Sequence, residues 1–290
     1  MNRHQVLRQA LQEGRLLSAM AAHNPMAALL AEQAGFDAIW GSGFELCASY
    51  AVPDASILSL SVHVEMMRAI VARVSVPVIA DIDTGFGNAV NVAYVLPQFE
   101  AAGVSAVVME DKHFPKDTSL REQGRQDLLP IETFQGKIEA AVAARQNPDV
   151  LIVARVEALI AGLGQAEALT RATAYVQAGA DAILIHSKQK TPDEILEFVR
   201  AWSGQAPLVL VPTAYPQLRE SDIARLHKVG IVIYGNHAIR AAVGAMREVF
   251  ARIRAEGGIA EVDAHLPTVK EIIALQGDAG MRELEKRFLR

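Results

Sequence analysis

Residues 76–87 read VPVIADIDTGFG, and two acids in that stretch are set for metal chemistry. Val76 to Ala80 is apolar on both faces, as in a buried parallel strand. Side chains two apart on a strand share a face, so Asp81 and Asp83 should project together where the strand ends and Gly85 and Gly87 let the backbone turn. Paired carboxylates repel unless a positive charge lies between them, and a hard divalent cation such as Mg²⁺ supplies it. The plainer reading, one helix-capping aspartate and one solvated aspartate, suits a lone Asp better than a D-x-D that closes a core strand. Asp54 and Glu110 are further acids able to share one Mg²⁺, or the similar Mn²⁺ or Co²⁺, directly or through water. Arg155 and His186 suit an anion with several oxygens, because Arg offers a planar fork of donors. Backbone N–H groups around Ser42 and Gly43 can receive a carboxylate or enolate oxygen. A small α-keto acid with a second anionic group fits both ends, its keto and carboxyl oxygens on the metal and its far end on the cations. Taken singly, His186 reads equally as a satisfied core-edge histidine, and Arg155 as the ion-pair partner of Glu157 or Glu110. The inference rests on the constellation.

Residues so far apart in sequence meet only if a repeated element carries them to one rim. AGFDAIWGSG, AGVSAVVMED and AGADAILIHS begin at residues 34, 102 and 178, and KVGIVIYGN at 228 is a looser echo. Each copy ends a helix on Gly and runs through an apolar strand into polar residues. Between them lie VPVIADID (76–83), VLIVARVE (150–157) and PLVLVPT (207–213), with LLSAMAA (16–22) as the first strand. Eight strands alternating with helical patterns predict an α/β fold, a (β/α)₈ TIM-type barrel, in which all the strand C-termini meet on one face. A doubly wound open sheet is the alternative, disfavoured because no glycine-rich nucleotide fingerprint follows the first strand. We read 1–290 as a single barrel domain. The charged segment 112–130, directly after Glu110 and Asp111, is expected to be an active-site lid, and about 263–290 a C-terminal helical extension that packs on a neighbouring subunit or the barrel bottom.

Composition narrows the class. Apolar residues make up 51%, dominated by small and branched types, and net charge is −5 with acids and bases interspersed. No basic stripe with interleaved aromatics suggests nucleic acid. Cys47 is the single cysteine, so no disulfide forms within the chain. The stretch MNRHQVLRQALQEGR is polar and lacks the apolar core of a signal peptide, and no apolar run approaches a membrane span. A soluble, cytoplasmic protein without nucleic-acid or membrane partners is expected.

WGSG (40–43), DIDTGFGN (81–88), EDKHFPK (110–116), VARVEA (153–158), GADAILIHS (179–187) and GNH (235–237) resemble the phosphoenolpyruvate mutase / isocitrate lyase superfamily, over nearly the whole chain. The resemblance implies a barrel with a C-terminal helix exchanged between subunits, a dimer-of-dimers tetramer, Mg²⁺, and α-keto acid or enolate chemistry beneath a mobile lid. It implies Asp81 as direct metal ligand, with Asp54, Asp83 and Glu110 holding the metal's waters. Ser42 and Gly43 resemble the carboxylate-binding turn, Trp40 flanks the substrate, and Arg155 and His186 face its other end. Carbon–carbon lyases of the family carry a lid cysteine in K-C-G-H, which this lid lacks. EDKHFPKDTSL resembles instead the phosphonate-processing branch, whose mutase lid reads E-D-K-x-F-P-K-x-N-S. Here Thr118 replaces the Asn, before Ser119 and Leu120, and a threonine there resembles the branch that hydrolyses phosphonopyruvate to pyruvate and phosphate. Thr118, His186 and Arg155 are then the catalytic residues, with Ser119 and Leu120 on the substrate. Thr118 attacks phosphorus itself or positions a water. The mutase, and less so an oxaloacetate-type lyase or decarboxylase, remain the alternative activities.

Overall fold

Eight apolar runs form parallel strands: β1 Leu17–Ala22, β2 Ala38–Gly41, β3 Val78–Asp81, β4 Ala106–Glu110, β5 Leu151–Val156, β6 Ala182–Ile185, β7 Leu208–Leu210 and β8 Val229–Tyr234. Each pairs with the next and β8 pairs with β1, so the sheet closes into the expected barrel and leaves no edge. The computed structural model describes residues 2–119, 121 and 123–290. Helices cover the strands. After β7 there is only a 3₁₀ turn, Pro212–Ala214, and the short helix Glu220–Ala224. Pro212 and Pro216 lack the N–H that an earlier helix would need.

Strand alternation places the site. One set of strand side chains packs inside the barrel: Leu17, Ala19 and Ala21 of β1, Ala38 and Trp40 of β2, Ile79 of β3, Ala106 and Val108 of β4, Leu151 and Val153 of β5, Ala182 and Leu184 of β6. The other set, such as Val78, Ala80, Val107, Ile152 and Ile183, packs outward against the helices. One step of two residues past the last interior side chain gives Ser42 after Trp40, Asp81 after Ile79, Glu110 after Val108, Arg155 after Val153 and His186 after Leu184. Each polar residue therefore keeps the inward direction of its strand but sits at the open C-terminal mouth. At the other end, helix Arg3–Gln12, capped by Asn2, adds Leu7 and Ala10 to the interior cluster. Full burial of one leucine contributes roughly 1.5–3 kcal/mol, so Leu7 does much to dock that helix.

The 112–130 segment has a stem and a tip. Lys112 bridges Leu128 in antiparallel fashion, His113 N–H donates to the Asp127 carbonyl at 3.2 Å, and Leu129 N–H to that of Asp111 at 2.8 Å. Asp111 is buried, and its carboxylate accepts from Arg171 at 3.0 Å, the Tyr175 hydroxyl at 2.7 Å and Glu157 N–H at 3.0 Å. This anchors the stem to β5 and to helix Gly164–Gln177.

Residues 1–239 form one unit and 240–290 a second. The second holds most of helix His237–Glu256 and the helices Ala260–Asp263, Val269–Leu275 and Asp278–Phe288. Thr268 and Glu271 cap the third of these reciprocally. Phe250, Val269, Leu284 and Phe288 of this unit are exposed. Among the described residues no helix is long and apolar enough to cross a membrane.

Candidate active site

The strand ends open into a small cleft. Trp40, Ser42, Asp54, Asp81, Lys116, Thr118, Ser119, Arg155 and His186 line it, joined by Thr213 and Asn236 from the β7 and β8 ends. Asp83, Glu110 and Gly43 are not in its wall but lie buried against residues that are. Leu120 falls outside the described residues. His237, a strand-end residue, packs edge-on against Tyr234 with ring centres 6.1 Å apart and does not reach the cleft wall.

Asp81 ends β3, but Asp83 does not continue it. Its φ of 51° is left-handed, and its N–H donates to Asp81 Oδ1 at 3.0 Å. A turn, not strand alternation, therefore gathers the D-x-D pair, and this corrects the sequence argument for that geometry. Gly85 N–H closes the turn on the Ile82 carbonyl at 2.8 Å. Gly85 has φ 83°, and a Cβ there would stand 2.6 Å from Val92 and 2.7 Å from Met109. Lys137, buried on helix Ile131–Ala144, donates to the Thr84 carbonyl and fastens the turn from outside; burial brings its ammonium down to about 8. Gly43 presses on both acids, since a Cβ there would lie 3.0 Å from Asp83 Oδ1 and 3.1 Å from Asp81 Oδ2. Its N–H is directed at Asp81 Oδ2, at 3.3 Å. The Ser42 hydroxyl caps helix Gly43–Ser49 by accepting from Glu45 N–H at 3.2 Å. Glu45, wholly buried, holds that helix through His23 at 3.0 Å and Ile239 N–H at 3.1 Å.

The acids converge on Lys116. Its ammonium stands 3.0 Å from Asp54 Oδ1, 2.6 Å from Asp83 Oδ1 and 4.0 Å from Glu110 Oε1. Burial works against this ammonium, but Asp83, Asp54 and Glu110 outweigh it and raise its pKa well above the ordinary lysine value. Burial pushes the Asp81 carboxyl up to about 6, with Lys116 opposing and Asp83 adding to the rise, and Asp83 moves in the same direction. Among the described residues no three acidic, histidine or cysteine side chains are set around a metal as they stand, because Lys116 takes the position between them. The donor chemistry nonetheless fits a hard divalent ion. Asp54 Oδ1, Asp83 Oδ1 and Glu110 Oε1 are buried and share the Lys116 ammonium, and one ammonium does not neutralise this many carboxylates.

The cationic side is built around Glu157, which is 0% exposed. Arg155 Nε lies 2.6 Å from its Oε1 and 3.4 Å from Glu110 Oε2, so both ion pairs open to Arg155 in the sequence are made. Lys112 Nζ lies 3.1 Å from Glu157 Oε2, and the Ser119 hydroxyl donates to the same oxygen. Burial opposes the charge on Glu157, but Arg155 and Lys112 hold its pKa well below the usual carboxylate range. Arg155 Nη2 also donates to Ser119 Oγ at 3.0 Å and reaches His186 Nδ1 at 3.1 Å. Because guanidinium only donates, Nδ1 accepts and the ring proton is assigned to Nε2. Burial lowers the His186 pKa, which favours this neutral form.

Sequence reasoning thus named most of the cleft wall but gave no role to Lys116 and Lys112. Charge counting could have found Lys116, since several acids on one rim need a nearby cation. Cys47 sits in helix Gly43–Ser49 away from the lid, and burial pushes its thiol up to about 12, so it supplies no thiolate.

The profile described as Phosphoenolpyruvate phosphomutase matches residues 7–254. A phosphonopyruvate hydrolase of Variovorax sp. (strain Pal2) is 73% identical over 290 residues, covering 100% of both chains. A phosphoenolpyruvate phosphomutase of Tetrahymena pyriformis is 40% identical over 283 residues, covering 98% of this chain and 94% of the relative. A crystal structure of phosphonopyruvate hydrolase in complex with oxalate and Mg²⁺ superposes with a TM-score of 0.96 at 71% identity, covering 100% of each chain.

Proposed function

The chain belongs to the phosphoenolpyruvate phosphomutase family, and from that premise we propose that it hydrolyses the carbon–phosphorus bond of phosphonopyruvate to pyruvate and phosphate. The observation that carries this reading is Thr118 in the wall of the same cleft as Arg155 and His186, in a chain 73% identical to a hydrolase and 40% to a mutase. The lid holds no cysteine, which sets isocitrate-type and methylisocitrate-type cleavage aside.

A water oxygen bonds to phosphorus as the C–P bond breaks. The C–P electron pair passes into the neighbouring carbonyl to give the pyruvate enolate. In balance, one of the water's protons ends on carbon 3, and the phosphate keeps the water's oxygen and its other proton. Arg155 and the Nε2–H of His186 hold the phosphonate oxygens, where guanidinium and imidazole stabilise charge shared among three oxygens. Ser42 and the face of Trp40 hold the pyruvate end. Thr118 accepts a hydrogen bond from the attacking water and aims it at phosphorus, a step that the amide of an Asn, suited to donating to the phosphoryl group, does not favour. Ser119 adds to the lid side of the cleft wall. Asp81, Asp54, Asp83 and Glu110 would hold a Mg²⁺ ion, which would supply positive charge to the keto and carboxylate end of the substrate. Lys116 shares this acidic corner and neutralises what the ion leaves.

Phosphorus NMR of the protein with Mg²⁺ and phosphonopyruvate tests the reading. Inorganic phosphate without phosphoenolpyruvate is the expected result; phosphoenolpyruvate as the product would assign the mutase reaction instead. Replacing Thr118 by Ala should remove most turnover and leave substrate binding largely intact. We also place the protein in the cytoplasm as a homotetramer, a dimer of dimers. The buried thiol of Cys47 requires no oxidising compartment, and the exposed Phe250, Val269, Leu284 and Phe288 suit a partner subunit. Sedimentation equilibrium reads the assembly directly.

A further inference from the structure

Lys112 is a buried lysine that the mechanism above does not use. It is 1% exposed and takes no part in the cleft wall. Its ammonium has three acceptors: the Asp117 carbonyl at 3.0 Å, Ser119 Oγ at 2.6 Å and Glu157 Oε2 at 3.1 Å. An ammonium has three N–H bonds, so this one is fully engaged and has none left for a substrate. Two of the acceptors belong to the residues on either side of Thr118, and the third is fixed at the end of β5.

We propose that Lys112 is a positioning residue that sets Thr118 over the reacting phosphorus. Lys112 starts from the lid stem, where it bridges Leu128, and reaches forward to the tip. One charge thereby ties stem, tip and barrel together. Ser119 Oγ is gripped further, accepting from Arg155 at 3.0 Å and donating to Glu157. The return arm adds two weaker ties, Gln126 Nε2 to the Thr118 carbonyl at 3.2 Å and Arg125 N–H to Asp117 Oδ2 at 2.9 Å. Without Lys112 these flanking contacts persist in part, but Asp117 and Ser119 lose their common post. The tip is then free to shift by an ångström or so, and misplacement on that scale costs about 10²-fold in rate.

The inference rests on the hydrolase reading, and its test keeps the two apart. In Lys112→Met, kcat for phosphate release is expected to fall about 10²-fold with KM within about threefold. If Lys112 acts through Thr118, adding Lys112→Met to Thr118→Ala costs little more, and the double variant stays within about threefold of Thr118→Ala. A further drop of about 10²-fold in the double variant, or a single variant with normal kcat, overturns the proposal. Trypsin reads the same claim without turnover. Arg121 and Arg125 have side chains 56% and 67% exposed in the lid, and with Mg²⁺ and oxalate present cleavage there should be slow in the wild type and fast in Lys112→Met. Equal protection overturns the proposal as well. Should the Met variant show no cooperative thermal melt, Lys112→Gln, which keeps donors but loses reach and charge, carries the same comparison. A wild type that releases no phosphate would sink the hydrolase reading, while the trypsin result would still decide the role of Lys112.

Discussion

On the β3–β4 side of the cleft, Asp54, Asp83 and Glu110 crowd around one ammonium, that of Lys116, with Asp81 beside them. On the β5–β6 side one carboxylate, Glu157, is shared by Arg155 and Lys112. Both corners are buried, yet burial has opposite outcomes. The acidic corner carries more negative charge than it can neutralise, and the pKa values of Asp81 and Asp83 rise. The cationic corner has charge to spare, and the pKa of Glu157 falls. The first is completed by a cation from outside, the second by an anion. A substrate with a chelating α-keto carboxylate at one end and a phosphonate at the other meets both needs at once.

The largest break in this comparison is Arg155→Gln. It removes the fork that faces the phosphonate and leaves Glu157 with Lys112 as its main positive partner. We expect kcat/KM to fall by about 10³-fold or more, measured by phosphate release. Lys116→Met probes the other corner. Removing one partner of a buried ion cluster costs about 3–5 kcal/mol, so the variant should melt well below the wild type without metal. A divalent ion then takes over more of the neutralisation, and Mg²⁺ should raise its Tm by more than it raises that of the wild type. An equal Mg²⁺ effect would mean that Lys116 and the ion do not share the acids.

The smallest effect concerns His63, buried at 2% exposure with its ring edge-on to Phe86, 5.3 Å between centres. Burial drives its pKa down to about 4, outweighing Asp81, and its buried Nε2 has no hydrogen-bond partner. The folded state therefore holds fewer protons than the unfolded chain once pH drops below about 6.5, and stability is lost as pH falls from there toward 4. The expected loss is on the order of 3 kcal/mol. His63→Leu should show a smaller loss of Tm between pH 7 and 4.5, and parallel wild-type and variant curves would remove His63 from the account.

Most of the cleft was legible in the sequence because strand geometry is periodic. Once Ile79, Val108, Val153 and Leu184 are read as interior residues, Asp81, Glu110, Arg155 and His186 follow at the mouth by a step of two. Asp83 was found for an imperfect reason: the backbone has already left the strand, and a left-handed residue with a following glycine brings its carboxylate round. Lys116 and Lys112 escaped because a lid has no period and a lysine reaches far from its own backbone. Nothing local distinguishes them from the exposed Arg121 and Arg125 in the same segment. Only the acids they face, contributed by strands and loops distant in sequence, give them their places.

The division of labour between the corners is tested most directly by titrating oxalate, a mimic of the enolate end, into the protein at matched ionic strength with Mg²⁺ and with EDTA. Because oxalate carries no phosphonate, its affinity should come from the acidic corner once a cation completes it. The account predicts clear binding heat with Mg²⁺ and a loss of at least about 10²-fold in affinity with EDTA, the scale of several kcal/mol expected when the neutralising charge is withdrawn. Equal affinity in both solutions would show that Arg155 and its neighbours hold the ligand unaided, and would contradict the assignment of opposite tasks to the two sides of the cleft.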